Sequence, residues 1–135
     1  MSTITQDQEQ AIRDVLARMP HLSRGVGDME SACSIAAINL ALTGRLKDDI
    51  PHCMSRAIGT WIVRVQDDAP PEVCRDHPEW RLLLPLAAGS GREREAERLA
   101  IVMNWMWTAL ALVQPKADAG GYGDEWARMC RERTG

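Results

Sequence analysis

The amino-acid sequence predicts an all-α protein, a single compact bundle of five to six helices over residues 1–135. Three observations carry this expectation. Apolar residues recur at helical spacing in five segments, whereas only Trp61 to Val65 reads as a strand. Proline and glycine punctuate the chain between segments, at Pro20, Gly44, Pro51, Gly89, Gly91, Pro115, Gly120, Gly121 and Gly123. A length of 135 residues, 45% of them hydrophobic, with a net charge of -3, suits one folded domain and excludes intrinsic disorder.

The first helix is expected from about Ile4 to Arg18, with Ala11, Ile12, Val15 and Leu16 on one face and Thr3 and Gln6 at capping-box spacing. Pro20 ends it. Asp28 reads as the next N-cap, and Met29 to Thr43 is apolar nearly all round, the pattern of a centrally buried helix that stops at Gly44. Asp48, Asp49 and Pro51 signal a third start, with Met54, Ile58, Trp61, Ile62 and Val65 on one face; this stripe is longer than the competing strand. Asp76 and Pro78 open a short helix whose Trp80, Leu83 and Leu84 face inward, and Pro85 is expected to kink or end it. Ser90 and Glu93 make a capping box that starts the longest helix, with Ala96, Leu99, Ala100, Met103, Met106, Trp107, Leu110 and Val113 as its core face and Pro115 beyond its end. A last short helix spans Asp124 to Arg133, with Trp126, Met129 and Cys130 on one face.

Charge and composition narrow the function classes. A sequence pI near 5.6 argues against a general nucleic-acid binder. The start from Met1 to Gln10 is polar and no uncharged apolar run reaches membrane-spanning length, so a cytoplasmic protein without membrane association is expected. The four cysteines are dispersed and are expected to be reduced. No cofactor is implied.

Five groups of residues were candidates for chemistry or binding. His52 with Cys53, and Cys74 with His77, supply thiolate and imidazole, the ligands zinc prefers, but without a Cys-x-x-Cys knuckle. Cys74, Asp76 and His77 contain the residue types of a nucleophilic triad, although such triads assemble from distant segments. Gly89, Ser90, Gly91 and Arg92 offer an anion-binding helix start, against the plainer reading of a cap and without the Lys-Ser/Thr of a phosphate loop. The pairs Asp48-Asp49 and Asp67-Asp68 contain cation ligands but lack calcium-loop spacing. Finally, Ile101, Trp105 and Leu112 form a stripe on the flank of the longest helix that its packed face does not need, which points to an interaction surface for a homodimer or another protein.

The segment from Ser34 to Gly44, followed by Ile50 to Ser55, Trp61, Gln66-Asp67, Leu84 to Arg92 and Trp105-Met106-Trp107, resembles short helical bacterial proteins of chromosomal and phage-related loci, whose function is unknown. The resemblance implies no catalytic residue. From the residues themselves, a non-enzymatic helical interaction module (an adaptor, an inhibitor or a self-associating protein) is the favoured reading. The alternative is a small Cys/His metal-binding protein or enzyme using His52, Cys53, Cys74 and His77.

Overall fold

The computed structural model describes residues 2–134 and is all-α, with no strand among those residues. The chain divides into two compact units, Met1–Glu95 and Ala96–Gly135. The first holds α1 (Gln6–Arg18), α2 (Ser34–Thr43), α3 (Arg56–Asp68), a 3₁₀ turn (Pro71–Val73) and α4 (Pro78–Ala88). The second consists of α5 (Glu95–Ala111), whose first residue belongs to the first unit, then α6 (Gln114–Ala119) and α7 (Gly123–Glu132).

The first unit is built around α2, which touches α1, α3 and α4. Every residue from Ala32 to Leu40 is buried, as its all-round apolar pattern requires. This helix starts later than Met29: the Cys33 thiol accepts the Ala36 N–H at 3.3 Å as N-cap, and Met29 is exposed. Asp28 caps a turn instead, its Oδ1 accepting the N–H groups of Glu30 and Ser31 at 2.9 Å each. Side-chain oxygens compete for nearby amides in turns as readily as at helix starts, so the aspartate alone did not locate the boundary.

α1 lays Ile12, Val15 and Leu16 against α2. Its capping box lies two residues further on than Thr3 and Gln6: Thr5 accepts the Gln8 N–H at 3.1 Å, and Gln8 accepts the Thr5 N–H at 2.9 Å. Thr3 is occupied elsewhere, its hydroxyl donating to the Cys53 carbonyl at 2.7 Å. Arg81 of α4 closes the other end of α1 by donating to the carbonyls of Leu16 and Pro20, both at 2.8 Å. A cation suits that end, where orphan carbonyls and the helix dipole concentrate negative charge.

Trp61 to Val65 lie inside α3, so the helical stripe prevails over local strand propensity. Ser55 is the N-cap, accepting the Ile58 N–H at 3.2 Å. α4 begins with Pro78 at its first turn, and it runs through Pro85 to Ala88. Leu84, Pro85 and Ala88 are buried while Leu83 is exposed, so the inward stripe follows Leu84 and not Leu83.

α5 begins at Glu95, not immediately after Ser90. Pro115 falls in the first turn of α6, where its missing N–H is no loss, so it opens a further helix beyond the five or six expected. Within the second unit, the Trp126 indole donates to the Leu110 carbonyl at 2.8 Å, and Arg133 donates to Asn104 Oδ1 at 2.7 Å. Gln114 donates to Asp118 Oδ1 and to the Gly123 carbonyl, tying α6 to the start of α7.

Two glycines separate conformational strain from steric strain. Gly44, the C-cap of α2, has φ +74 with open space where a Cβ would stand; Gly27 has φ +71, and a Cβ there would lie 2.1 Å from the Ser31 carbonyl oxygen. Gly44→Ala is expected to cost about 1 kcal/mol, the penalty of a left-handed conformation. Gly27→Ala adds a backbone clash and is expected to cost clearly more, measured as the shift in urea midpoint of the two variants.

Candidate interaction surface

α5 shares with α2 a long uncharged run, but not its burial. No ionisable side chain stands between Arg98 and Lys116. A helix without charge on any side normally lies inside a protein. Yet α5 contributes no buried residue. Ile101 is 69% exposed, Trp105 62% and Leu112 79%, and Leu99, Met103 and Val113 are exposed as well. The core face expected from the sequence is therefore not a core: Ala96, Leu99, Ala100, Met103 and Val113 are exposed, and Met106, Trp107 and Leu110 are half-buried. In the whole second unit, Ala117 is the one buried residue among those described. The uncharged run from Leu99 to Pro115 is legible in the sequence, whereas its exposure is not.

Ser90 and its neighbours form a clasp, and their donors point at the protein's own carbonyls. The Ser90 hydroxyl donates to the Ala87 carbonyl at 2.6 Å and accepts the Ser55 N–H at 2.9 Å. Gly91 N–H donates to the Cys53 carbonyl at 2.8 Å, and Gly89 N–H to the Pro85 carbonyl at 3.2 Å. Arg92 donates to the carbonyls of Met54, Ile50 and Pro51 at 3.1–3.3 Å. Glu95 then caps α3, its Oε2 accepting the N–H groups of Arg56 at 2.9 Å and Ala57 at 3.2 Å. An anion there would have to displace these bonds, and the carboxylate of Glu95 already stands at the start of α3.

The cysteine and histidine clusters flank α3, with His52 and Cys53 before it and Cys74 and His77 after it. Thirteen helical residues span about 20 Å. His77 is N-cap of α4, its Nδ1 accepting the Glu79 N–H at 3.3 Å, while Asp76 Oδ2 lies 3.3 Å from His21 Nδ1. Asp76 and His77 thus serve separate partners. Burial pushes the thiols of Cys53 and Cys74 above their ordinary pKa, with the positive charges of Arg92 and Arg75 pulling weakly the other way. The pairs Asp48-Asp49 and Asp67-Asp68 likewise precede and end α3. Among the described residues no three His, Cys, Asp or Glu side chains converge on a point where a metal ion would sit.

A second apolar feature lies wholly in the first unit. Trp61 of α3 and Trp80 of α4 meet at 6.3 Å between ring centroids, and with Ile58, Ile62, Leu84 and Ala87 they line a groove of about 290 Å³. Trp80 is held by its indole bond to the Ser34 hydroxyl at 2.9 Å, which fixes this wall. Leu82, Leu83 and Leu86 stand exposed on the same helix.

Comparison with family models, with curated proteins and with solved structures finds no match. No helix among the described residues is long and apolar enough to cross a membrane.

Two outcomes follow from this geometry. Ser90→Ala is expected to cost about 1–2 kcal/mol because the Ser55 N–H loses its acceptor, with the loss of amide protection appearing at the start of α3 and not in α5. Because the Cys53 and Cys74 pKa values are raised on folding, their contribution to stability is complete below pH 9.0 and is lost as pH climbs through the folded values. Denaturant midpoints measured from pH 8 to 10.5 are expected to fall above 9, and Cys53→Ser with Cys74→Ser to flatten that fall.

Proposed function

We propose that the chain is a non-enzymatic interaction module that associates with a second copy of itself through α5. The observation that carries this reading is a helix with no ionisable side chain beyond Arg98 and no buried residue. Ile101, Trp105 and Leu112 together present roughly 400 Å² of side chain. That is already the size of the largest apolar patch on a typical monomer, before Leu99, Met103 and Val113 are added. Burying Trp105 contributes several kcal/mol before the entropic cost of association.

The competing metal or enzymatic reading draws its residues from both ends of α3, and the anion reading draws on donors that are already bonded. The resemblance to short helical proteins of bacterial and phage-related loci adds no activity to either.

Sedimentation from low to high micromolar concentration is expected to show wild type as a dimer, and Trp105→Glu as a soluble monomer of equal helix content. A charge is poorly tolerated at the centre of such an interface. A wild type that stays monomeric throughout, with Trp105→Glu unfolding the chain, would contradict the proposal.

A further inference from the structure

We infer that the first unit carries a binding site for a free amino acid with an aliphatic side chain, in the cavity between the C-terminal half of α2 and the loop that follows it. The cavity measures about 460 Å³, within the size range of small-molecule sites. Asn39, Leu42, Lys47, Asp49, Ile50 and, from α1, Gln8 are among the residues that line it. All of them belong to the first unit, so the site is independent of α5 and of the self-association reading.

The observation that points to a ligand is the free end of a buried carboxamide. Asn39 is only 5% exposed, and its Nδ2 donates to the carbonyls of Lys47 and Asp49 at 2.9 and 2.7 Å. Two backbone acceptors at one end of the amide identify that end as the nitrogen, so the opposite end is the oxygen. Oδ1 accepts no hydrogen bond from the described residues, yet it is not sealed from the cavity that Asn39 lines. An acceptor fixed in this way calls for a donor from outside the chain. Gln8 leaves the complementary atom. Its Oε1 accepts the Thr5 N–H at 2.9 Å, which frees the Nε2 donors for the cavity.

Lys47 and Asp49 bring opposite charges to the same rim, and neither side chain pairs with another described residue. The four groups therefore form two sets. Asn39 Oδ1 and the Asp49 carboxylate accept, which suits an ammonium group; the Lys47 ammonium and Gln8 Nε2 donate, which suits a carboxylate. An α-amino acid carries both groups on one carbon. A ligand with a single charge would satisfy one rim residue and leave the other facing a neutral group. Leu42 and Ile50 are half-buried and supply an apolar wall, which favours an aliphatic side chain over a charged one.

The test is nuclear magnetic resonance titration of the isotope-labelled full-length protein with three probes. They are L-leucine, isoamylamine, which lacks the carboxylate, and isocaproate, which lacks the ammonium. Leucine is expected to shift the Asn39 side-chain amide signals, because a hydrogen bond to Oδ1 polarises the amide, and to bind at least about tenfold more tightly than either control. Lys47→Met and Asp49→Asn, both at exposed positions, are each expected to weaken leucine binding at least about threefold with helix content unchanged. An Asn39 amide that stays fixed at millimolar leucine, a control that binds as tightly as leucine, or folded variants that bind it as wild type does would each overturn the inference. If a variant loses helix content, the ranking of the three probes on wild type decides.

Discussion

Burial of α2 from Ser34 to Leu40 imposes the condition on which the first unit is organised, because each polar group the helix carries inward needs a partner from a surrounding element. The Ser34 N–H donates to Gln66 of α3 at 3.0 Å, and the Ser34 hydroxyl accepts from Trp80 of α4. Asn39 donates to the carbonyls of Lys47 and Asp49 at 2.9 and 2.7 Å, which pins the loop ahead of α3. Without these bonds, burial would leave donors and acceptors stranded at a cost comparable to a large part of a domain's net stability. The apolar face of α2 supplies the driving force, while the polar partners decide which surfaces of α3 and α4 it meets.

α5 presents the opposite case. It has the composition of an interior helix, and no burial to match. The second unit holds its three helices through directional bonds, from Trp126 to Leu110, Arg133 to Asn104 and Gln114 to Gly123, with little packed core behind them. Helices this short gain most of their stability from a covered apolar face. Association through α5, as proposed above, would supply such a cover.

The helical class was legible because periodicity is a property of each segment, as the agreement on α1, α2 and α3 shows. Helix starts were less legible. Thr5, Cys33 and Ser55 are the caps, where Thr3, Asp28 and the Asp48 to Pro51 stretch offered equal or stronger local signals. A hydroxyl or carboxylate caps whichever amides the tertiary structure leaves within reach, and Ser90 illustrates this by bonding the start of α3, 35 residues earlier in the chain. The stripe of Ile101, Trp105 and Leu112 was readable from spacing, but the exposure of Leu99 and Met103 was not, since periodicity reveals a face and not what covers it. The Trp61–Trp80 groove needed α3 and α4 to be placed side by side, which no local pattern encodes.

Amide hydrogen exchange across a concentration series tests the central claim most directly, because it reads α5 and α2 in the same sample. Pairing through α5 predicts that amides from Leu99 to Leu112 gain protection as concentration rises, while those from Ile35 to Leu40 keep constant protection. Protection of α5 that is the same at every concentration would contradict it.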